Sequence, residues 1–261
     1  MQTDDWQPGQ YLKYEEARTQ PTRDLIGRID LAAPKRILDV GCGPGNSTAA
    51  LRARWPHAAL YGLDSSPNMI ERAKEADGDI RWILRDVSDG IADLGQFDVV
   101  FSNAALQWMG NHETLIPELF ARVAPGGVLA VQVPWVRQLP VYQEILMLME
   151  EDKWKGRMGE VPLYPKHYPF PHYYEILCGL TGAIQAWQTD YIQIMAGHGE
   201  IVEWYKGSGL RPFLDMLDGE SWKAEFLLDY RERMEKAYPI QKDGKVLFPF
   251  TRIFFLAYKG L

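Results

Sequence analysis

The stretch Arg36-Ile37-Leu38-Asp39-Val40-Gly41-Cys42-Gly43-Pro44-Gly45-Asn46-Ser47-Thr48 constrains the fold more than any other, because an apolar run stops at three alternate glycines and a helical pattern follows. A strand, a tight turn and a helix in that order open a β-α-β unit. Glycines in such a turn admit positive φ and the close approach of a ligand to the main chain. The N–H groups that start the next helix point into the same space. Asp39 sits at the mouth of this turn. Its carboxylate would repel a pyrophosphate and attract a ligand that carries positive charge.

S-Adenosylmethionine, with an ammonium and a sulfonium, is such a ligand. Further acids fall where a nucleoside needs them. Leu60-Tyr61-Gly62-Leu63-Asp64 reads as a second strand whose terminal Asp64, about 20 residues past the glycines, suits ribose hydroxyls. A third strand, Ile80 to Arg85, leads to Asp86, which could accept from an adenine amino group. Phe97 to Asn103 is the fourth, with Asn103 at its carboxyl end. Taken singly, each has a plainer alternative. Asp64 could cap a helix at Asn68-Met69, Asp86 could be a turn residue, and Cys42 reads better as a small packing residue than as a nucleophile, since no base stands near it in sequence.

The ordered series Asp39-Val40-Gly41-Cys42-Gly43, Gly62-Leu63-Asp64-Ser65-Ser66-Pro67-Asn68-Met69, Asp86, Asn103-Ala104-Ala105-Leu106-Gln107-Trp108 and Pro125-Gly126-Gly127 resembles the class I S-adenosylmethionine-dependent methyltransferases. The resemblance implies an α/β fold with a doubly wound, mostly parallel, Rossmann-like sheet of seven strands and a helical cap. It implies a cofactor set of Asp39, Gly41, Cys42, Gly43, Asn46, Asp64, Ser65, Met69, Asp86, Val87, Asn103 and Ala104. Tyr11 and Arg18, in a leading segment that commonly folds over the cofactor, would lie near its methionine carboxylate. An aromatic staple to the core explains the leading aromatics equally well.

In chain order, residues 1–30 form an amino-terminal cap segment with a helix from about Pro21, in which Leu25, Ile26 and Ile29 share a side. Residues 31–134 form the cofactor-binding core. There Ser47 to Trp55 is helical until Pro56, Ser65-Ser66-Pro67 caps and opens another helix, and Asn111 to Val123 makes a third that Pro125-Gly126-Gly127 closes. Val128 to Val133 is an apolar run of the kind buried on both faces of a sheet. Residues 135–186, rich in Met, Pro and aromatic residues, read as a helical cap. Residues 187–261 hold two last strands, Trp187 to Ile194 and Pro249 to Tyr258, around an inserted helical segment, 197–240.

Composition excludes several classes of function. With 261 residues the chain suffices for one sizeable α/β domain with an insertion, and its net charge of −7, without a basic run, argues against nucleic acid. Two cysteines, Cys42 and Cys178, are too few for a disulfide framework and suit a reducing cytoplasm. Neither a leader pattern nor a run long enough to span a bilayer is seen, and no His, Cys or acid spacing suggests a metal.

The resemblance narrows further, since Trp6, Tyr11, Asn103 to Trp108, Gly209-Leu210-Arg211-Pro212-Phe213 and Phe250-Thr251-Arg252-Ile253-Phe254 are similar to class I members that methylate trans-aconitate. It implies transfer to one carboxylate of a small polycarboxylate, giving a monomethyl ester and S-adenosylhomocysteine. A carboxylate is ionised at neutral pH and needs no base, so no catalytic residue is expected and positioning is the mechanism. Arg211 and Arg252, each set among apolar residues, are the candidates to grip the acid, with Gln107, Trp108 and His167 as neighbours. The arginines could instead form structural salt bridges, and His167 and His172 could simply pack among tyrosines. An apolar or phenolic acceptor is the alternative and would usually require a base. A nicotinamide oxidoreductase fits the glycine spacing less well, and a non-catalytic binding protein leaves an enclosed polar pocket without a purpose.

Overall fold

The computed structural model describes residues 15–160 and 165–260, excepting the side chains of 15–18. Trp6 and Tyr11 therefore lie outside the described residues, as does the Arg18 side chain; the Arg18 backbone belongs to helix α1 (Glu15–Gly27). That helix starts earlier than the sequence suggests and carries Pro21 inside it. Leu25 and Ile26 are buried on it, and Ile29, anticipated on the same side, is buried two residues past its end.

Seven strands form one sheet in the order β3-β2-β1-β4-β5-β7-β6. They are β1 (Arg36–Val40), β2 (Ala59–Asp64), β3 (Arg81–Leu84), β4 (Phe97–Asn103), β5 (Val123–Pro134), β6 (Ile184–Met195) and β7 (Val246–Tyr258). β1 runs parallel to β2 and β4, β2 to β3, and β4 to β5. β7 is antiparallel to β5, since Lys259 N donates to Gly127 O at one end and Trp135 N to Thr251 O at the other. The expected mostly parallel Rossmann-like sheet of seven strands is therefore the one formed. Chain order reverses between β1 and β4, the switch point where open α/β sheets bind ligands.

Local chemistry sets the helices between the strands. α2 (Asn46–Arg54) follows Gly45 directly. α3 (Pro67–Ala76) has Ser66 at its N-cap, the Oγ accepting from Met69 N, and Pro67 in its first turn, as the sequence reading has it. α4 (His112–Ala121) starts at an Asn111 cap and ends two residues before the Val123 anticipated for it. Pro125-Gly126-Gly127 does not close that helix; it lies within β5, where the register against β4 shifts between Phe97 and Val99. A Cβ at Gly127 would fall 2.6 Å from the Asp98 carbonyl oxygen, so these residues bulge a strand where it presses on its neighbour.

The chain divides into two compact units, 1–133 with 168–188 and 253–261, and 134–167 with 189–252. The stretch 135–186, read from sequence as one cap, is thus shared between them. In the first unit α7 (Phe170–Cys178) packs on α4, with the Tyr173 ring 5.4 Å from Phe255 and 5.8 Å from His112. The second unit is helical around the far halves of β6 and β7. There α10 (Glu220–Ala237) packs on α5 (Pro140–Met149) and on α8 (His198–Lys206). Tyr230 donates to the Val141 carbonyl at 2.7 Å, and Trp154, in the single turn α6 (Asp152–Lys155), meets Phe226 edge-on and donates to Asp229.

Candidate functional site

Asp39 is fully buried at the end of β1. Its Oδ2 accepts from Ser47 Oγ and Thr48 Oγ1, both at 2.6 Å, while its Oδ1 is buried and meets no hydrogen-bond partner among the described residues. Burial pushes the carboxyl up from 3.8 to about 6, the two hydroxyls pull it back, and nearby Asp64 adds to the rise. One oxygen is thus anchored to the first turn of α2, and the other waits for a donor. Sequence reasoning passed over Ser47 and Thr48; their signal was a pair of hydroxyl residues on the turn that follows the acid.

The glycines of the loop serve different ends. Gly41 takes φ 71°, and a Cβ there would lie 2.3 Å from Ala105 Cβ, so the loop after β4 packs directly on it. Gly43 takes φ 54°, but its Cβ position faces open space, which leaves the main chain approachable at that residue. Gly43 N donates to Asp64 Oδ2 and Ser66 N to Asp64 Oδ1, both at 2.9 Å, so Asp64 is steered by two amides. It does not cap Met69, whose N–H is taken by Ser66. Cys42 is buried, and burial with the two neighbouring acids holds its thiol protonated. Asn46 opens α2 half-buried, Ser65 is exposed, and Met69 is buried in the first turn of α3. Asp86 accepts from Ser88 N and Ser88 Oγ and caps a short turn that contains buried Val87. Trp82 of β3 fills the space against Gly62 and Gly45, its Nε1 donating to Asp77 O at 2.8 Å.

At the end of β4 the chain turns sharply. Ala104 takes φ 52°, rare for a side chain with a Cβ, and its N–H donates to Gln132 O. Gln107 Nε2 donates to Ala104 O at 2.6 Å, so this buried amide braces the turn. Trp108 follows it half-buried. Asn103 Oδ1 is buried and finds no hydrogen-bond partner among the described residues. Because Asp39 is opposite Phe101 and Gly62 in the ladders, Asp39, Asp64 and Asn103 project from one face of the sheet. Two orphaned acceptor oxygens, an oriented second acid and an open glycine thus lie at the carboxyl ends of β1, β2 and β4. That donor-poor, anionic set fits a cationic nucleoside.

The other candidates lie in the second unit. His167 is buried, donates through Nδ1 toward Pro134 O at 3.3 Å and meets the Tyr142 ring edge-on; burial lowers it to about 4, so it is neutral at pH 7. Arg211 begins the short turn α9 (Arg211–Leu214), half-exposed, with its Nε 3.8 Å from Asp215. Phe213 of that turn stands 6.2 Å from Tyr142, which links the Arg211 and His167 segments through one ring. Arg252 is buried in β7 with its guanidinium 4.6 Å from the Phe250 ring centre.

A family model described as a methyltransferase domain matches residues 37–127, the part that holds this sheet face. In fold the chain is similar to the YcgJ protein of Bacillus subtilis, with a TM-score of 0.63, 14% identity, and coverage of 93% of this chain and 99% of that one. It is similar also to a phosphoethanolamine N-methyltransferase of Haemonchus contortus crystallised with S-adenosylhomocysteine, with a TM-score of 0.57, 16% identity, and coverage of 93% and 53%. Those likenesses concern the fold. Sequence similarity reaches further: a trans-aconitate 2-methyltransferase of Methylobacterium nodulans is 42% identical over 97% of this chain and 98% of its own length, and one of Variovorax paradoxus is 40% identical over 98% of each. Identity of that order across both units, not the core alone, means that this chain belongs to the trans-aconitate 2-methyltransferase family.

Proposed function

We propose that the protein transfers a methyl group from S-adenosylmethionine to a carboxylate of trans-aconitate or a closely similar small polycarboxylate, leaving the monomethyl ester and S-adenosylhomocysteine. The observation that carries this reading is the end-to-end identity with relatives bearing that name. The anionic strand ends described above supply the physical support. The cofactor brings a methyl group on a positively charged sulfur. Asp39 Oδ1 accepts from the ammonium, Asp64 from ribose hydroxyls, and Asp86 from the adenine side, each at the carboxyl end of its strand or just past it. The Gly43 main chain gives close access, and Asn46, Ser65, Met69, Val87 and Ala104 complete the surface.

The chain's own part in the reaction is positional. The acceptor is already an anion at neutral pH, so what the protein must do is desolvate it and hold it in line. Arg252, buried on β7, is the cation best suited to a carboxylate, with Arg211 a second and more exposed one. His167 is neutral at pH 7 and supplies hydrogen bonding without charge. The buried Cys42 and the free Cys178 are compatible with a cytoplasmic, reducing setting.

Purified protein given methyl-labelled cofactor and a panel of small acids, phenols and amines tests the proposal. Trans-aconitate is expected to take the label best, as an ester labile to mild alkali. Preferential labelling of a phenol or amine would refute the acceptor, and failure of S-adenosylhomocysteine to raise the melting temperature would refute the cofactor.

A further inference from the structure

Gln132 lies inside the apolar run Val128 to Val133 near the end of β5, and it is completely buried. Neither Nε2 nor Oε1 of its side chain meets a hydrogen-bond partner among the described residues. An amide left wholly unpaired in such a place is costly, and a hydrophobic residue there would be more stable. Because both ends are unpaired, this holds whichever end carries the nitrogen.

The ladder shows where the amide points. Gln132 is opposite Asn103 in the parallel pairing of β5 with β4, so the two side chains leave the sheet on one face, roughly 5 Å apart at the backbone. Asp39 is on the next strand and the same face. The unpartnered atoms of this row are Asp39 Oδ1, Asn103 Oδ1, Gln132 Oε1 and Gln132 Nε2. Three can only accept and one can only donate. A small group with several N–H bonds and an adjacent anion matches that inventory, and an α-amino acid, with ammonium and carboxylate on one carbon, is such a group.

We propose that Gln132 is a binding residue for the α-amino acid end of the cofactor, its Nε2 donating to the carboxylate and its Oε1, with Asn103 Oδ1 and Asp39 Oδ1, accepting from the ammonium. This rests on the cofactor reading above. It adds a fifth strand to a contact set that the motifs drew from β1 to β4 alone, and it gives the buried amide a purpose.

Two ligands that differ only at that end provide the test. S-Adenosylhomocysteine carries the amino acid, and 5′-methylthioadenosine keeps the nucleoside and thioether without it. Calorimetry on the wild type and on Gln132→Leu should show about tenfold weaker binding of S-adenosylhomocysteine in the variant and unchanged binding of methylthioadenosine. Gln132→Met, closer in length, takes the place of Leu if that variant does not fold. An unchanged affinity for S-adenosylhomocysteine overturns the proposal. So does an equal loss for both ligands, which marks a structural role, or a raised KM for the acid with cofactor affinity intact, which places the amide on the acceptor. If the wild type itself fails to bind S-adenosylhomocysteine, the function proposed above falls first, a result distinct from any in the variant.

Discussion

Replacing Asp39 by Asn tests the electrostatics of the site most directly. The variant keeps the shape and an oxygen for the Ser47 and Thr48 hydroxyls while it deletes the charge. Burial raises the carboxyl from 3.8 to about 6. At about 1.4 kcal/mol per pH unit, holding Asp39 ionised above pH 6 costs the ligand-free fold roughly 3 kcal/mol. The folded state therefore binds this proton more tightly than the unfolded chain does. The stabilisation is complete below pH 4, fades as pH rises toward 6 and is gone above it. The Asn amide adds its own penalty by burying an unpaired NH2, of about 1–3 kcal/mol, but that penalty does not vary with pH. Urea unfolding of both proteins at pH 4.5 and 7.5 should show their stability difference moving by about 2 kcal/mol in favour of Asn at the higher pH. In the wild type, affinity for S-adenosylhomocysteine should fall about tenfold per unit as pH drops below 6, because an ammonium binds the ionised form. In the variant, binding should be weak and lack that pH dependence. A stability difference that does not move with pH, or full affinity in the variant, would refute the account of Asp39 as a buried anion awaiting a cation.

Other expectations follow from the same geometry. Gly43→Ala should cost only about 1 kcal/mol of stability, from its positive φ, while S-adenosylhomocysteine affinity falls sharply by calorimetry. Gly41→Ala, whose new methyl would lie 2.3 Å from Ala105 Cβ, should lower the melting temperature more than Gly43→Ala does. Arg252→Leu should raise the KM for trans-aconitate at least tenfold, from the loss of about 2 kcal/mol or more for a buried charged pair, and leave cofactor affinity within twofold. Tyr230→Phe should cost about 1 kcal/mol in denaturant unfolding, because it removes the buried hydrogen bond that the hydroxyl donates to the Val141 carbonyl at 2.7 Å.

The glycine loop was readable because backbone conformation there depends on residue type: three alternate glycines after an apolar run leave few options other than a strand, a turn and a helix. The strand-end acids were readable for a related reason, since a carboxylate interrupts hydrophobic patterning only where something compensates it. Pro125-Gly126-Gly127 was misread because the same residues that stop a helix also bulge a strand, and only the neighbouring chain decides between them. Gln132 was hidden by its company, as one amide in a run of Val, Leu and Ala does not alter the periodicity that marks a buried strand. The packing of Tyr173 on Phe255 joins residues 82 positions apart in sequence, and no local pattern carries such a contact. At Asp86 the turn role that the sequence offered beside the ligand one is visible, its Oδ1 taking two bonds from Ser88, and that role does not displace the other.

Trp82 has a consequence for how such a chain can change over generations. A Cβ on Gly62 would fall 2.4 Å from its indole, one on Gly45 would fall 3.0 Å away, and the indole Nε1 is tied to Asp77 O by a hydrogen bond. Gly62 and Trp82 therefore behave as one inherited block, with Gly45 held besides by its φ of 97°: a lineage that enlarges Gly62 must first shrink the tryptophan, and one that shrinks the tryptophan opens a hollow beside the glycine loop. Substitutions at these sites are expected to arise in that order, and libraries that vary them singly will miss the viable combinations.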